Sequence, residues 1–302
     1  MSATLCLGEA LVDFIAERPV ASLAQADHFV PHLGGTTANV AAFAARAGAR
    51  VALGGAAGED RWGHWLRERL SAEGVGTDRF TLLAGTPTQL AFVACDEHGS
   101  PTYELYETVR DTIAGALGED VEAAVDEASG LFLGSNTLAG AAEREVTMRA
   151  RERALQSDTP VIVDCNLRLH RWGSRTDAAA SVNACVPGAT LVHVNREEAE
   201  LLTGEPDPER AALALRKAGA QVVVITLGSA GAMLRAANRL SLDRPAPPTG
   251  AVRSTVGAGD ALTGTLLAAL ERSGYYPDAA AAALDDALAA AARACTHWGA
   301  LD

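Results

Sequence analysis

The chain has 302 residues, of which 48% are hydrophobic and 21% are charged, and its formal net charge is −13. This composition is typical of a globular α/β protein with a sizeable core, and the acidic charge argues against a nucleic-acid partner or an anionic membrane surface. The five cysteines are scattered and contain no Cys-x-x-Cys motif, which favours a reduced protein over a disulfide framework or a zinc cluster.

The first predicted element is a buried strand over residues 5–14 that ends in a polar tip. Glu9 and Asp13 interrupt its apolar run, and the pattern of a signal peptide is absent, so we expect a cytoplasmic protein with no membrane segment. At a strand end that faces a ligand, Asp13 could accept hydrogen bonds from sugar hydroxyls. A solvated turn carboxylate is equally consistent with the pattern.

The second predicted feature is a glycine turn that opens a helix. Gly34 and Gly35 precede an alanine-rich helix that Gly48 ends, and Asn39 lies about one turn inside it. An inward-facing role at a polyol would explain an amide there, but a capping or buried backbone contact explains it at least as well. The spacing is not G-x-G-x-x-G, so a dinucleotide-dependent oxidoreductase is not indicated.

A hairpin is predicted next, with residues 89–96 and 102–107 flanking a turn over 97–101. Its partial alternation of polar and apolar residues suggests a sheet with one open face. Such a sheet could act as a lid that excludes water from a ligand, and an ordinary surface hairpin is equally consistent with it.

Short apolar strands then alternate with helices, which predicts a parallel sheet covered on both faces. Polar residues follow several of these strands, at the sheet edge where open α/β folds bind ligands. The strands span residues 130–134, 161–164, 191–195 and 222–226, and the polar residues are Asn166, Arg168, Asn195, Glu198, Thr226 and Ser229.

A second glycine turn, residues 254–260, leads into an apolar helix. Free amides at a helix start form an anion site, and Gly257 and Gly259 would let a phosphate approach the backbone. We expect Asp260 to stay ionised there and to act as a base in phosphoryl transfer to a hydroxyl. A helix cap in a tight turn is the plain alternative.

Together these segments resemble the ribokinase-like (PfkB) family of carbohydrate kinases over nearly the whole chain. Residues 34–40 through 58–60 resemble its amino-terminal signature, and residues 255–260 resemble its carboxyl-terminal one. Residues 8–13 and 164–168 are most similar to the fructokinase and 2-keto-3-deoxygluconate kinase branch. The resemblance implies one kinase domain across residues 1–302, with a three-layer α/β/α fold, a mostly parallel central sheet and a small β-sheet lid from regions 14–33 and 88–110.

The resemblance also implies roles for individual residues in transfer from ATP and Mg²⁺. Asp260 would be the general base, and Arg168 would neutralise the transferring phosphate. The implied sets are an anion hole of Gly257, Ala258 and Gly259; sugar contacts from Asp13, Gly34, Gly35, Asn39, Tyr103 and Asn166; nucleotide contacts from Asn195, Thr226, Gly228, Gly231, Gly257 and Gly259; a water-mediated magnesium contact from Glu198; and adenine near Ala289–Ala300.

Two departures from the family pattern bear on the substrate and on ions. Ser254 stands where the family usually has an aspartate that helps bind a monovalent cation, which argues against potassium activation. The predicted lid strand is acidic, with Glu104 and Glu107 where ketodeoxygluconate kinases tend to have an arginine, although Arg110 is nearby. We therefore expect a neutral sugar, with fructose favoured.

Three alternatives stay open at this point. They are a ketodeoxygluconate kinase, another sugar or nucleoside kinase of the family, and a non-catalytic sugar or nucleotide sensor on the same fold. The half-open sheet would also permit a homodimer through the lid.

Overall fold

The computed structural model describes residues 2–106 and 112–301, so Glu107 and Arg110 lie outside the described residues. Its strands form two sheets, a large one and a small one. In chain order the strands are β1 Thr4–Leu7, β2 Leu11–Ile15, β3 Val30–Gly34, β4 Val51–Gly58, β5 Phe80–Leu83, β6 Leu90–Cys95, β7 Pro101–Tyr106, β8 Gly130–Gly134, β9 Val161–Asp164, β10 Leu191–Asn195, β11 Val222–Thr226, β12 Ala232–Ala236 and β13 Ser241–Arg244.

The helices lie between these strands and beyond the last of them. They are α1 Thr36–Arg46, α2 Arg61–Ala72, α3 Thr112–Leu117, α4 Val121–Asp126, α5 Ala141–Gln156, α6 Arg175–Asn183, α7 Arg196–Thr203, α8 Pro208–Lys217, α9 Ala258–Ser273, α10 Asp278–Ala282 and α11 Leu284–Ala294. None of the helices in the described ranges is long and apolar enough to cross a membrane.

The large sheet has the strand order β13-β12-β11-β10-β9-β8-β1-β4-β5, and among its described strands the pairings β11–β12 and β12–β13 are antiparallel whereas the others are parallel. Both of its faces are buried. Along β1, Leu5 and Leu7 belong to the core on one face, whereas Cys6 belongs to the core on the other. Helices α3–α8 cover the first face, and α1, α2 and α9–α11 cover the second. The expected three-layer α/β/α architecture is confirmed.

The small sheet has the order β3-β2-β6-β7, and its β6–β7 hairpin was expected from the sequence. It pairs β2 with β6 in parallel and its other neighbours antiparallel. Asp96 shapes the hairpin turn because its Oδ1 accepts the backbone N–H groups of His98 and Ser100, at 2.8 and 2.9 Å. The tip of the hairpin meets the start of the second glycine turn, where the Thr255 N–H donates to the Gly99 carbonyl at 2.9 Å.

The prediction of a single strand over residues 5–14 is wrong, because the chain crosses there from one sheet to the other. β1 ends at Leu7 in the large sheet, and β2 begins at Leu11 in the small one. A side chain on Gly8 would not fit at the crossing, since its Cβ would lie 2.2 Å from Thr37 Oγ1. Both strands are buried, so together they give one largely apolar stretch of sequence. The crossing sets Glu9 and Asp13 between the two sheets.

Candidate active site

A cavity of about 550 Å³ lies between the carboxyl ends of the large-sheet strands and one face of the small sheet. Leu11, Asp13, Tyr103 and Leu105 line it from the small sheet, and residues that follow β1, β8, β9, β10 and β11 line it from the large one. The remaining wall is the glycine turn that begins α9. The polar residues expected at the strand ends therefore converge on one cavity.

The glycine turn presents backbone N–H groups to this cavity. Gly257 precedes α9 with φ +77°, and a Cβ there would lie 2.3 Å from that of Ala300, so this turn needs glycine. Within the described chain, the N–H groups of Gly257, Gly259 and Asp260 donate to no protein atom, whereas the Ala258 N–H donates to the Thr255 carbonyl at 3.3 Å. Free amides at the start of a 16-residue helix can hold an anion.

The Asp260 carboxyl group is buried beside these amides. Its Oδ2 accepts a hydrogen bond from Asn39 Nδ2 at 2.9 Å, and its Oδ1 accepts one from Asn166 Nδ2 at 3.1 Å. Burial, together with the nearby negative charge of Asp164, raises the pKa of Asp260 to about 7 despite the bond from Asn39. Burial therefore opposes the expected ionisation of this carboxylate at the helix start.

Arg168 brings a positive charge to the same wall. It follows β9, where it donates to Asn166 Oδ1, and its guanidinium lies over the Tyr103 ring at 5.7 Å. Asn166 has φ +34°, a conformation that residues other than glycine rarely adopt. Such backbone strain is concentrated at functional sites. Here it turns the Asn166 amide towards Asp260 and Thr36.

The wall opposite the glycine turn is rich in hydrogen-bond acceptors. Asp13 is buried in the cavity wall, and burial raises its pKa to about 7, although the positive charge of Arg168 works in the other direction. Asn39 Oδ1 is buried and has no hydrogen-bond partner among the described residues. Gly35 lines the cavity at the start of α1, whereas Gly34 lies behind Asp13, where a Cβ would be 2.4 Å from its Oδ2.

On the other side, Asn195 and Glu198 cap α7 as well as lining the cavity. Asn195 Oδ1 accepts the Glu198 N–H at 2.8 Å, and Glu198 Oε2 accepts the Asn195 N–H at 2.8 Å. Glu198 Oε1 accepts the Leu167 N–H at 2.7 Å. Thr226 lines the cavity at the end of β11, but Gly228 and Gly231 in the following loop do not.

The structure adds residues that the sequence analysis did not single out, namely Glu9, Asn136, Asp164 and His193. Glu9 accepts hydrogen bonds from the Thr36 N–H and from Asn136 Nδ2, at 3.0 and 2.8 Å, and Asn136 Oδ1 is buried without a partner. Asn136 follows β8, so the rule that identified Asn166 would also have found it. His193 interrupts an otherwise apolar strand, which was the available signal for it.

The sequence analysis expected the acidic lid strand to disfavour an acid sugar, and for Glu104 this expectation is wrong. Along β7, Pro101, Tyr103 and Leu105 face the cavity, while Glu104 is exposed on the opposite face and accepts a hydrogen bond from the Tyr106 hydroxyl at 3.2 Å. Residues of a strand point alternately to its two sides, so the charge of Glu104 is directed away from any ligand. The carboxylates that do face the cavity come from other segments, including Glu9 and Asp13.

Comparison with known proteins matches residues 1–301 to the family described as pfkB family carbohydrate kinase. The chain belongs to this family. Its fold and the pair of glycine turns agree with the assignment, so it is a carbohydrate kinase by family.

The relatives that the chain resembles include kinases of sugars and of ribosides. The chain is 33% identical over 266 residues to fructokinase-1 of Oryza sativa subsp. japonica, which covers 86% of this chain and 80% of that protein. It superposes on the fructokinase of Xylella fastidiosa with bound ATP at a TM-score of 0.80 and 28% identity, covering 99% and 93% of the two chains. The aminoimidazole riboside kinase of Salmonella enterica, complexed with aminoimidazole riboside and an ATP analogue, gives 0.82 and 26%, with 99% and 95% covered.

Proposed function

We propose that this protein transfers the γ-phosphoryl group of ATP to a hydroxyl of a small neutral sugar, with fructose the favoured substrate and Asp260 the general base. The chain acts as a single kinase domain, and its small sheet is the lid over the sugar. The family assignment and the fructokinase relatives support the reaction class. The relatives with bound ATP or an ATP analogue support the phosphoryl donor.

The main support for the proposal is the position of Asp260, which lies between hydrogen-bond donors on one side of the cavity and hydrogen-bond acceptors on the other. On one side are the unpartnered N–H groups of Gly257, Gly259 and Asp260 itself, which suit a phosphate. On the other side are the buried acceptors Asp13 and Asn39, which suit sugar hydroxyls. A hydroxyl bound on the second side and a phosphate bound on the first would meet at the Asp260 carboxylate.

The chemistry follows from this arrangement. The sugar oxygen forms a bond to the γ-phosphorus, the bond from that phosphorus to the bridging oxygen breaks, and ADP leaves. Asp260 takes the hydroxyl proton, while the free amides and Arg168 stabilise the charge on the transferring group. A pKa near 7 suits a base that works at neutral pH.

Magnesium fits this site as a partner of the phosphates rather than of a protein cage. Across residues 2–106 and 112–301, no group of three or more His, Cys, Asp or Glu side chains is arranged to hold a metal ion. Both carboxylate oxygens of Glu198 already accept backbone N–H groups, so Glu198 would reach the ion through water, as Mg²⁺ readily allows. When bound, the ion supplies charge neutralisation for the phosphates.

Nucleotide contacts are assigned to Asn195 and Thr226, which line the cavity, with the loop from Gly228 to Gly231 and the region 289–300 flanking the adenine. Ser254 gives no indication of a monovalent cation. It is buried, and its Oγ accepts the Val256 N–H at 3.0 Å and the Cys95 thiol at 3.4 Å. Potassium activation is therefore not part of the proposal.

The charge of the sugar wall favours a neutral substrate over an acid one. The carboxyl groups of Glu9 and Asp13 both face the cavity, and a negative charge on either would oppose the carboxylate of ketodeoxygluconate. The acceptors Asn39 Oδ1 and Asn136 Oδ1 need donors, which the hydroxyls of a polyol provide. Because one similar structure is a riboside kinase, a nucleoside is the second candidate for the phosphoryl acceptor.

The test is a phosphorylation screen with MgATP and fructose, ribose, tagatose, ketodeoxygluconate and nucleosides, which measures ADP release and the phosphorylated product. We expect fructose or a close neutral sugar to give the highest kcat/KM and ketodeoxygluconate the lowest. Asp260→Asn should lower kcat by about 10²–10⁴-fold while it leaves sugar binding nearly unchanged.

Two outcomes contradict the proposal. If no acceptor is phosphorylated although sugar and nucleotide bind, the protein is a sensor on this fold. If Asp260→Asn turns over at the wild-type rate, Asp260 is not the base. A substrate preference for ketodeoxygluconate or a nucleoside would reassign the sugar and keep the mechanism.

The protein also pairs into a homodimer through the outer face of the small sheet. Four aromatic side chains form a continuous surface there, Phe14, Phe29, Phe92 and Tyr106, with ring centroids 5.0–5.5 Å apart in successive contacts. Tyr106 is 53% exposed. The three phenylalanines are half-buried, and Phe14 also packs edge-on against Trp62 of α2 at 5.1 Å, so Tyr106 is the exposed part of this aromatic surface. An exposed aromatic side chain beside half-buried ones suits an association surface.

A further inference from the structure

The cavity has more carboxyl groups than cationic side chains, although it has to receive a nucleotide triphosphate in the proposed reaction. Five carboxylates line it, Glu9, Asp13, Asp164, Glu198 and Asp260. The cationic side chains along the same lining are Arg168 and Arg171, together with two histidines, His170 and His193. Only one of these histidines lies behind the glycine turn.

His193 lies directly beneath the phosphate-binding turn. It is in the middle of β10, is buried, and lines the cavity. Its Cε1 lies 3.7 Å from the position that a Cβ on Gly259 would occupy. Its Nε2 is 3.4 Å from Thr226 Oγ1, on the nucleotide side of the cavity. The Thr226 hydroxyl donates to the Val194 carbonyl at 3.4 Å, so its oxygen can accept from Nε2, and the ring edge with Cε1 and Nε2 lies between the glycine turn and Thr226.

The opposite edge of the ring is fixed by two partners. Nδ1 is 3.0 Å from Asp164 Oδ1 and 2.9 Å from Thr263 Oγ1, and the Thr263 hydroxyl donates to Asp164 Oδ2 at 3.1 Å. Since the carboxylate only accepts, Nδ1 carries a proton and donates it. Thr263 is one turn after Asp260 on α9, so this triad also ties the catalytic helix to the sheet.

The charges around the ring favour its protonated form. Burial lowers the pKa of His193, but the negative charges of Asp164 on β9, Glu198 on α7 and Asp260 on α9, with the hydrogen bond to Asp164, outweigh burial and raise the pKa overall. An imidazolium has a proton on Nε2 as well, which makes that edge a charged donor.

We propose that His193 is a further phosphate-contacting residue, an imidazolium held by Asp164 and Thr263 beneath the Gly257–Gly259 turn that donates from Nε2 to a phosphate oxygen of the nucleotide. This rests on the proposed kinase function. His193 keeps its proton throughout the transfer, because the hydroxyl proton goes to Asp260. Its contribution is the charge on Nε2, which supplements that of Arg168.

The variants that test this separate charge from structure. His193→Gln keeps a neutral donor of similar reach, and His193→Lys restores a cation. We expect the Gln variant to raise the KM for ATP and lower kcat/KM for ATP by about 10- to 100-fold, the effect of losing one charge-assisted hydrogen bond. The KM for the sugar should stay within about twofold, and the Lys variant should recover most of the loss. His64→Gln on the exposed face of α2 is the matched control and should behave as wild type.

Two results would overturn the assignment. One is a Gln variant with wild-type KM for ATP and wild-type kcat. The other is a Lys variant as impaired as the Gln variant, with both unfolding at lower temperature than wild type, which would make the triad a structural tie only.

A readout that needs no turnover keeps this inference separate from the proposed reaction. ADP binding by calorimetry should weaken in the Gln variant, and the ¹³Cε1 NMR signal of His193 should show an imidazolium that shifts when ADP is added. An unchanged signal and unchanged ADP affinity contradict the phosphate contact. If wild type phosphorylates no sugar, the proposed function fails, but these two measurements still decide the role of His193.

Discussion

Asp260 combines burial with a proposed role, that of the general base, which requires charge. Burial raises the pKa of Asp260 to about 7. A free carboxyl group has a pKa near 3.8, so the folded protein binds more protons than the unfolded chain between these values. Stability therefore falls as the pH rises through this interval. An ionised Asp260 costs stability, and such a cost is common where a site is built for reaction rather than for packing.

The pH dependence of catalysis should be opposite to that of stability, because activity should rise as the pH rises. A base accepts a proton only when it is ionised, so kcat/KM for the sugar should fall as the pH drops below about 7 and reach a plateau above it. The measurement is kcat/KM for the sugar between pH 5.5 and 8.5 at saturating MgATP.

Asp13 has to be separated from this profile, because burial raises its pKa to about 7 too. Two neighbouring groups give macroscopic pKa values that belong to both. Asp13→Asn removes one titration and raises the KM for the sugar, but the acidic limb that comes from Asp260 should remain. If kcat/KM of the Asp13→Asn variant did not depend on pH, the loss of activity at low pH would come from sugar binding by Asp13 and not from the base.

At the scale of elements, much of the site could be predicted because parallel strands end at one edge. From the sequence alone, this rule predicts that Asn166, Arg168, Asn195 and Thr226 lie close together. It could not show that residues 5–14 divide between two sheets, since a buried strand looks the same in either. The rule also could not show on which face of the small sheet the Glu104 side chain lies, because this depends on the register of β7.

The hairpin β6–β7 and the glycine turn are connected in a way that sequence patterns do not reveal. The Gly99 carbonyl at the hairpin tip accepts both the N–H and the Oγ1 of Thr255, at 2.9 and 3.2 Å. Thr255 is two residues before Gly257. A shift of the hairpin would therefore reach the amides of the glycine turn through one residue, which would couple the proposed lid to the proposed phosphate site.

Gly99→Ala tests this coupling against a matched control. Gly99 has φ +77°, and its added Cβ would lie 2.9 Å from Val252 Cγ1 and 3.3 Å from the Arg253 carbonyl oxygen. Gly85 has φ +72°, with open space around it. Both Ala variants have the same backbone strain of about 1–2 kcal/mol, seen as a lower unfolding temperature. Only Gly99→Ala should also lower kcat, because it displaces the segment before Gly257. Equal kcat in the two variants would contradict the coupling.

At the scale of the whole molecule, the small sheet has two faces with different chemistry. The inner face carries Asp13 and Tyr103 and closes the cavity, while the outer face carries the aromatic surface Phe14, Phe29, Phe92 and Tyr106. The outer face packs against α2 through the edge-on contact of Phe14 with Trp62, and Tyr106 stays exposed beyond that contact. Association through the outer face would rigidify the lid, and the proposed dimer would then stabilise the sugar site in both copies.

Tyr106→Glu tests the dimer at its exposed rim. Tyr106 already lies beside Glu104, so a second carboxylate adds like charge as well as removing an aromatic ring. We expect sedimentation velocity to show wild type as a dimer and Tyr106→Glu shifted towards monomer, with a higher KM for the sugar. Tyr276→Glu is the control, since Tyr276 is 72% exposed beyond the carboxyl end of α9, away from the small sheet. A monomeric wild type, or a Tyr106→Glu variant that sediments like wild type, would remove the dimer from the proposal because the aromatic surface would then have no partner copy.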